Sequence, residues 1–186
     1  MDEPAPRDGV GRGTPRRADD PVAGSGESGV DLVLLDRREA ARIAAGSPDA
    51  DDRWADGFPR PEDRWPAGRI AVEPSELGPF GVYKLVPRHH GRAVGTAGFF
   101  GPPDADGAVA IGYGMVEPER GRGHGTFAVA TLVQTCRESG EVTIVTAETH
   151  DVNVASRRVL EKNGFQLVGA DGTLVLYALD LADPGS

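Results

Sequence analysis

Apolar positions follow two periodicities along this chain, and neither begins before residue 29. Val30 to Leu35 is a short apolar run of buried-strand type. Asp36 then predicts a helix cap, Ala40, Ile43 and Ala44 fall on one helical face, and Gly46 ends the element. Residues 80–88, 92–101 and 107–116 read as three strands joined by His89-His90-Gly91 and by the loop "PPDAD", an antiparallel meander. Val129, Leu132, Val133 and Cys136 recur at i, i+3, i+4 and i+7, which predicts an amphipathic helix over 124–138 ended by Ser139-Gly140. The β-branched run 141–148 predicts another strand. Val152, Ala155, Ser156, Val159 and Leu160 mark a second helical face, with Lys162 in its last turn and Gly164 as a left-handed cap. Two strands about Asp171-Gly172 follow, a pair suited to a type I′ turn.

The predicted order is β-α-(α)-β-β-β-α-β-α-β-β, an α/β domain over 29–182. The strands flanking helix 124–138 should be parallel neighbours joined by a right-handed crossover. Residues 1–28 are rich in Pro, Gly and charge and predict a disordered tail. Gly9, Gly11 and Gly13 in that tail lack the preceding strand and following helix that a nucleotide loop requires. Prolines at 48, 59, 61 and 66 break the stretch after the first helix, which holds both tryptophans, Trp54 and Trp65. One or two short helices with loops are expected there.

Composition narrows the function classes. A length of 186 residues suits one domain. A net charge of −9 argues against nucleic acid or an anionic membrane as partner. No run approaches the roughly 18–20 apolar residues of a membrane span, and the N-terminus carries no secretion signal, so a cytoplasmic location is expected. The single cysteine excludes an internal disulfide, and its place in the helical stripe predicts that Cys136 packs in the core. His89 and His90 read as a solvated turn, and no metal is expected.

One stretch carries candidate chemistry. "PERGRGHGTF", residues 118–127, lies between a predicted strand and a predicted helix. A helix start leaves N–H groups without partners and carries partial positive charge, so it favours anions. On residue types alone, an anion cradle and a flexible Gly-rich connection stand level. The stretch has no lysine for a P-loop, and Gly121, Gly123 and Gly125 alternate instead of spacing as Gly-x-Gly-x-x-Gly.

Arg120-x-x-Gly123-x-Gly125 matches the Arg/Gln-x-x-Gly-x-Gly/Ala signature of the GCN5-related N-acetyltransferases. "ETHDVNVASRRVLEKNGF" (148–165) resembles a second block of that family, closest to its bacterial ribosomal-protein and small-amine branch. The resemblance implies an acyl-CoA N-acyltransferase fold: a mixed, mostly antiparallel sheet flanked by helices, with splayed central strands. It implies acetyl-CoA as co-substrate, its pyrophosphate on the amides of Arg122, Gly123, His124, Gly125 and Thr126, with Arg120 and Gly121 also among the cofactor-binding residues. A bulge at Gly114, Met115 or Val116 would open a slot for the pantetheine arm, with Met115 and Val116 beside it and Asn153 contacting it from the next helix. Asn153 reads equally well as that helix's cap.

The same resemblance implies Glu148 as general base, with Glu117 and His150 as rivals, acting directly or through water. Many relatives carry a tyrosine acid seven residues after the asparagine, where this chain has Leu160. Ser156 takes that role in the branch resembled. The family's fold covers the amine site with the tryptophan-bearing segment, so Trp54, Phe58 and Trp65 are placed to stack on the acceptor or a cation; the tryptophans read equally well as anchors of an irregular loop to the core. Glu117 is placed on the substrate side too, and Asp51, Asp52, Asp56, Glu62 and Asp63 are expected to attract a cationic amine. The acceptor is then a small-molecule amine or a protein N-terminus; an acyl-CoA-binding module without catalysis is the reading from another class. Oligomeric state is left open, with a homodimer as one outcome.

Overall fold

The computed structural model describes residues 29–72 and 78–182. The predicted N-terminal tail lies outside the described residues. The elements follow the predicted order: β1 (Val30–Leu34), α1 (Arg37–Ala45), α2 (Pro61–Val72), β2 (Val82–Pro87), β3 (Gly95–Phe99), β4 (Ala108–Met115), α3 (His124–Ser139), β5 (Ile144–His150), α4 (Val154–Lys162), β6 (Gln166–Asp171) and β7 (Leu174–Asp180). The local signals explain most boundaries. Asp36 caps α1 by accepting from the Glu39 amide at 2.8 Å, and Gly46 closes it in the left-handed region. Pro61 opens α2, where its missing N–H costs nothing.

The strands form one sheet in the order β1-β2-β3-β4-β5-β7-β6. Every neighbouring pair is antiparallel except β4 and β5, which the α3 crossover makes parallel. That parallel ladder is short: it joins residues 108–110 to 144–146. Beyond it β4 continues on β3 to Met115, while β5 continues on β7 to His150. The two strands part at their carboxyl ends. The β3–β4 register is unbroken from Phe99↔Ile111 to Gly95↔Met115, and the Val116 amide still reaches Val94. The bulge expected at 114–116 is therefore absent, and the slot opens because each strand follows a different neighbour.

Val129, Leu132, Val133 and Cys136 of α3 are all buried, so the stripe read from sequence packs on the sheet. Burial pushes the Cys136 thiol up to about 11. On the opposite face α1 and α2 pack together, and Lys84 of β2 reaches Glu39 of α1.

Two local expectations are corrected. The second helix begins after its Asn153 cap, so Val152 stands in the turn at 81% exposure, Ala155 faces solvent, and Leu160 is fully buried. The last hairpin turns on Gly172-Thr173, one residue later than predicted. Gly172 has φ +57° and among the described residues no non-glycine residue has positive φ, which is the pattern of a type II′ turn. A β-branched threonine cannot supply the second positive φ of type I′.

Candidate active site

A cavity of about 650 Å³ fills the opening between β4 and β5 and runs under α2. Side-chain alternation assigns its walls. Along β5, Val145, Ala147 and Thr149 are buried, and Thr146, Glu148 and His150 point the other way. Glu148 is exposed within the cavity, on the same side as Arg60, Glu62 and Trp65. Tyr113 of β4 points to the α3–α4 face, where a side chain at Gly125 would meet its ring. It lines the cavity together with Asn153 and Ser156 of α4. The gap between the strands thus joins a carboxylate on one face of the sheet to a pair of hydroxyls on the other.

The hydroxyls are bonded. The Tyr113 hydroxyl and Ser156 Oγ lie 2.8 Å apart, and the tyrosine also reaches the Ser156 carbonyl at 3.1 Å. Burial raises the Tyr113 pKa, partly offset by its bond to Ser156, so the phenol stays protonated at neutral pH. Sequence reasoning missed Tyr113. It sits in an alternating strand, where an aromatic reads as core, and the only hint was the absence of tyrosine at 160. Asn153 lines the cavity while its Oδ1 accepts from the Ser156 amide at 3.1 Å. The cap therefore fixes the residue that carries the serine hydroxyl.

Arg60, Asp63 and Thr96 form a second unit that sequence reasoning missed. Asp63 is 0% exposed. It accepts from Arg60 Nε (3.0 Å) and Nη2 (2.8 Å), from the Arg60 amide, and from the Thr96 hydroxyl at 2.6 Å. A planar two-point pair of this kind locks the guanidinium against Gly114, where any side chain would collide with it. Among the described residues Arg60 Nη1 has no acceptor, which leaves it as a donor toward a ligand.

The tryptophan-bearing segment divides. Trp65 lines the cavity, 61% exposed, with its ring 6.0 Å from Phe100 and Arg69 above it at 5.7 Å. Trp54 and Phe58 do not line it: Phe58 is 7% exposed, Trp54 meets it edge-on, and Trp54 bridges to Ala93 beside β3. They anchor the loop to the core instead of offering a stacking surface. Of the acidic residues in that segment, Glu62 lines the cavity. Asp52 is held by Arg42 at 2.6 and 2.8 Å, which keeps its carboxyl below the usual range, and Asp63 is spent on Arg60. Asp51 and Asp56 are exposed outside the cavity lining, as is Glu117 in the 3-10 turn Glu117–Glu119.

At the end of β4 the loop 120–126 leaves its backbone open. Among the described residues no acceptor meets the amides of residues 121 through 126, and the first helical bond runs from Phe127 to the Gly123 carbonyl at 3.0 Å. Gly121 and Gly123 have φ +76° and +85°, and a Cβ on either would stand in open space. Arg120 and Arg122 are exposed beside them, bonded to the carbonyls of Met115 and Pro118. A run of free amides, a helix start and two arginines fit a pyrophosphate. The side chains of Met115 and Val116 are buried, the Val116 amide and carbonyl are spent on Val94 and Glu119, and the Met115 carbonyl accepts from Arg120. Gly125 is buried against Tyr113 and Met115, and the Thr126 carbonyl accepts from Asn163. The His124 side chain is 4% exposed and meets Glu119 at 3.3 Å.

Comparison with known proteins accounts for this arrangement. Residues 32–166 match the acetyltransferase (GNAT) domain model. The chain belongs to the GNAT acetyltransferase family. It is 31% identical over 98 residues to the uncharacterised N-acetyltransferase YjdG of Bacillus subtilis, a match spanning 53% of the chain and 58% of that relative's length. Ribosomal-protein-S5-alanine acetyltransferase from Vibrio fischeri shares the fold, with TM-score 0.64 and 17% identity over 89% of this chain and 98% of that one. Mycobacterium smegmatis RimJ, solved with a CoA disulfide, gives 0.62 and 21% identity over 86% of each chain. Among the described residues no helix is long and apolar enough to cross a membrane.

Proposed function

We propose that this protein transfers the acetyl group of acetyl-CoA to a primary amine, with a small-molecule amine as acceptor. The observation that carries the reading is the cavity through the β4–β5 opening, with Glu148 on one side and the Ser156–Tyr113 pair on the other. The amides of 121–126 hold the pyrophosphate, and the β4 edge freed by β5 lies along the pantetheine arm. Glu148 takes the proton that an ammonium must lose before its nitrogen can attack the thioester carbonyl. Ser156, relaying from Tyr113, gives a proton to the leaving sulfur as the carbon–sulfur bond breaks, and the second proton shed by the attacking nitrogen restores the pair. Arg60 donates to an oxygen near the acceptor amine, so an acceptor with a carbonyl or carboxylate beside its nitrogen fits better than a simple alkylamine.

That last feature also favours a second reading, the α-amine of a protein N-terminus, where a peptide carbonyl follows the nitrogen. Ribosomal-protein acetylation in the structural neighbours points the same way. Thiol release from acetyl-CoA, measured with a panel of small amines and N-terminal peptides, tests both. Release with small amines supports the first reading, and release with peptides alone supports the second. Tight CoA binding with no release from any acceptor leaves a binding module.

A further inference from the structure

Three of the chain's four histidines meet one buried carboxylate beside the cofactor loop. His89 and His90 lie in the turn between β2 and β3, Glu119 ends the 3-10 turn, and His124 starts α3. Each presents Nε2 to Glu119: His90 at 3.4 Å and His89 at 3.9 Å from Oε1, and His124 at 3.3 Å from Oε2. The ligand atoms of His89, His90 and Glu119 lie within 4.8 Å of one another.

We propose that His89, His90 and Glu119, backed by His124, form a binding site for one divalent transition-metal ion of zinc-like preference. Metal–ligand bonds of about 2.0–2.1 Å give tetrahedral edges of about 3.3–3.4 Å, which the His90–Glu119 pair already has at 3.4 Å, while the His89 ring at 3.9 Å must move inward on binding. The 3.9 Å gap from His89 is too long for a hydrogen bond, so that ring faces the carboxylate without being bonded to it. Imidazole with one carboxylate is the donor set of zinc, copper or nickel and excludes magnesium and calcium. Two groups oppose the ion. Arg122 Nε lies 3.6 Å from Glu119 Oε2, on a side chain exposed enough to swing into water. The Arg92 amide donates to His90 Nδ1 at 3.0 Å, and metal at Nε2 requires that exposed bond to be exchanged for water. An ion here ties the β2–β3 turn to the 3-10 turn that precedes the loop 120–126.

The test uses the full chain stripped with chelator, loaded with ZnCl2 and passed through gel filtration, with bound zinc read by elemental analysis. The expected result is one zinc per chain. His89→Gln with His90→Gln should weaken zinc binding more than about tenfold at unchanged circular dichroism. Glu119→Gln should do the same; if it unfolds, the histidine variant decides. Cobalt in place of zinc should give the strong visible absorption of tetrahedral coordination. No retained zinc, or equal retention by the histidine variant, would mean that the cluster is a hydrogen-bonded brace only and overturns the site.

Discussion

Ser156 and Tyr113 share one hydrogen bond, and that coupling has a kinetic signature. If the serine relays a proton from the phenol, Ser156→Ala and Tyr113→Phe each interrupt the same path. Each should lower kcat by about 10²-fold, the low end for a proton-transfer group. The double variant should fall little further, because residues acting as a unit are not additive. Fully additive losses from steady-state rates would assign them separate roles. Glu148→Gln keeps the shape of the side chain and removes the proposed base. Turnover should drop by about 10²–10³-fold with the CoA dissociation constant unchanged, since Glu148 lies on the Arg60 and Trp65 side of the opening, away from the loop 120–126 proposed to hold the cofactor. A variant that binds CoA poorly but turns over normally would show that the alternation along β5 has been misassigned to the two substrates.

Elements decide which of several similar residues reach the site. Trp54 and Trp65 stand in one proline-rich stretch and read alike in sequence. Trp54 is joined to Ala93 beside β3, while α2 carries Trp65 over the cavity. Trp54→Ala should cost about 3 kcal/mol in denaturant unfolding and leave the acceptor KM unchanged. Among the described residues its buried Nε1 has no acceptor, so Trp54→Phe should be tolerated or stabilising. The cofactor loop gives the complementary case. Gly123 caps α3 at φ +85° with open space above it. Alanine there strains the backbone by roughly 1 kcal/mol, in free and bound states alike, so strain cancels from affinity. The added methyl group would stand where the proposed cradle places the anion, and the two meet only in the complex. Gly123→Ala should therefore lose CoA affinity more than tenfold while unfolding shifts by only about 1 kcal/mol; calorimetry on a folded variant with full affinity would remove the cradle.

At the scale of the molecule, periodicity made the strands, helices and loop legible, because the 2.0 and 3.6 repeats are local. What stayed hidden depends on long-range closure. Tyr113 meets Ser156 across 43 residues, Thr96 meets Asp63 across 33, and His90 meets Glu119 across 29. None of these pairs leaves a local pattern, since each partner alone reads as ordinary core, surface or turn. Charge poses the same contrast between local and global. The chain carries a net −9, yet the proposed co-substrate is an anion. At physiological salt the screening length is about 8 Å, so charges spread over the molecule act weakly on the loop, while Arg120 and Arg122 lie within it. Local attraction should win. Raising NaCl from about 0.15 to 1 M, where the screening length falls to about 3 Å, should therefore weaken CoA binding several-fold. Arg120→Gln with Arg122→Gln should flatten that dependence. If affinity rises with salt in the unmodified protein, repulsion from the acidic whole outweighs the loop, and the arginines do not hold the pyrophosphate.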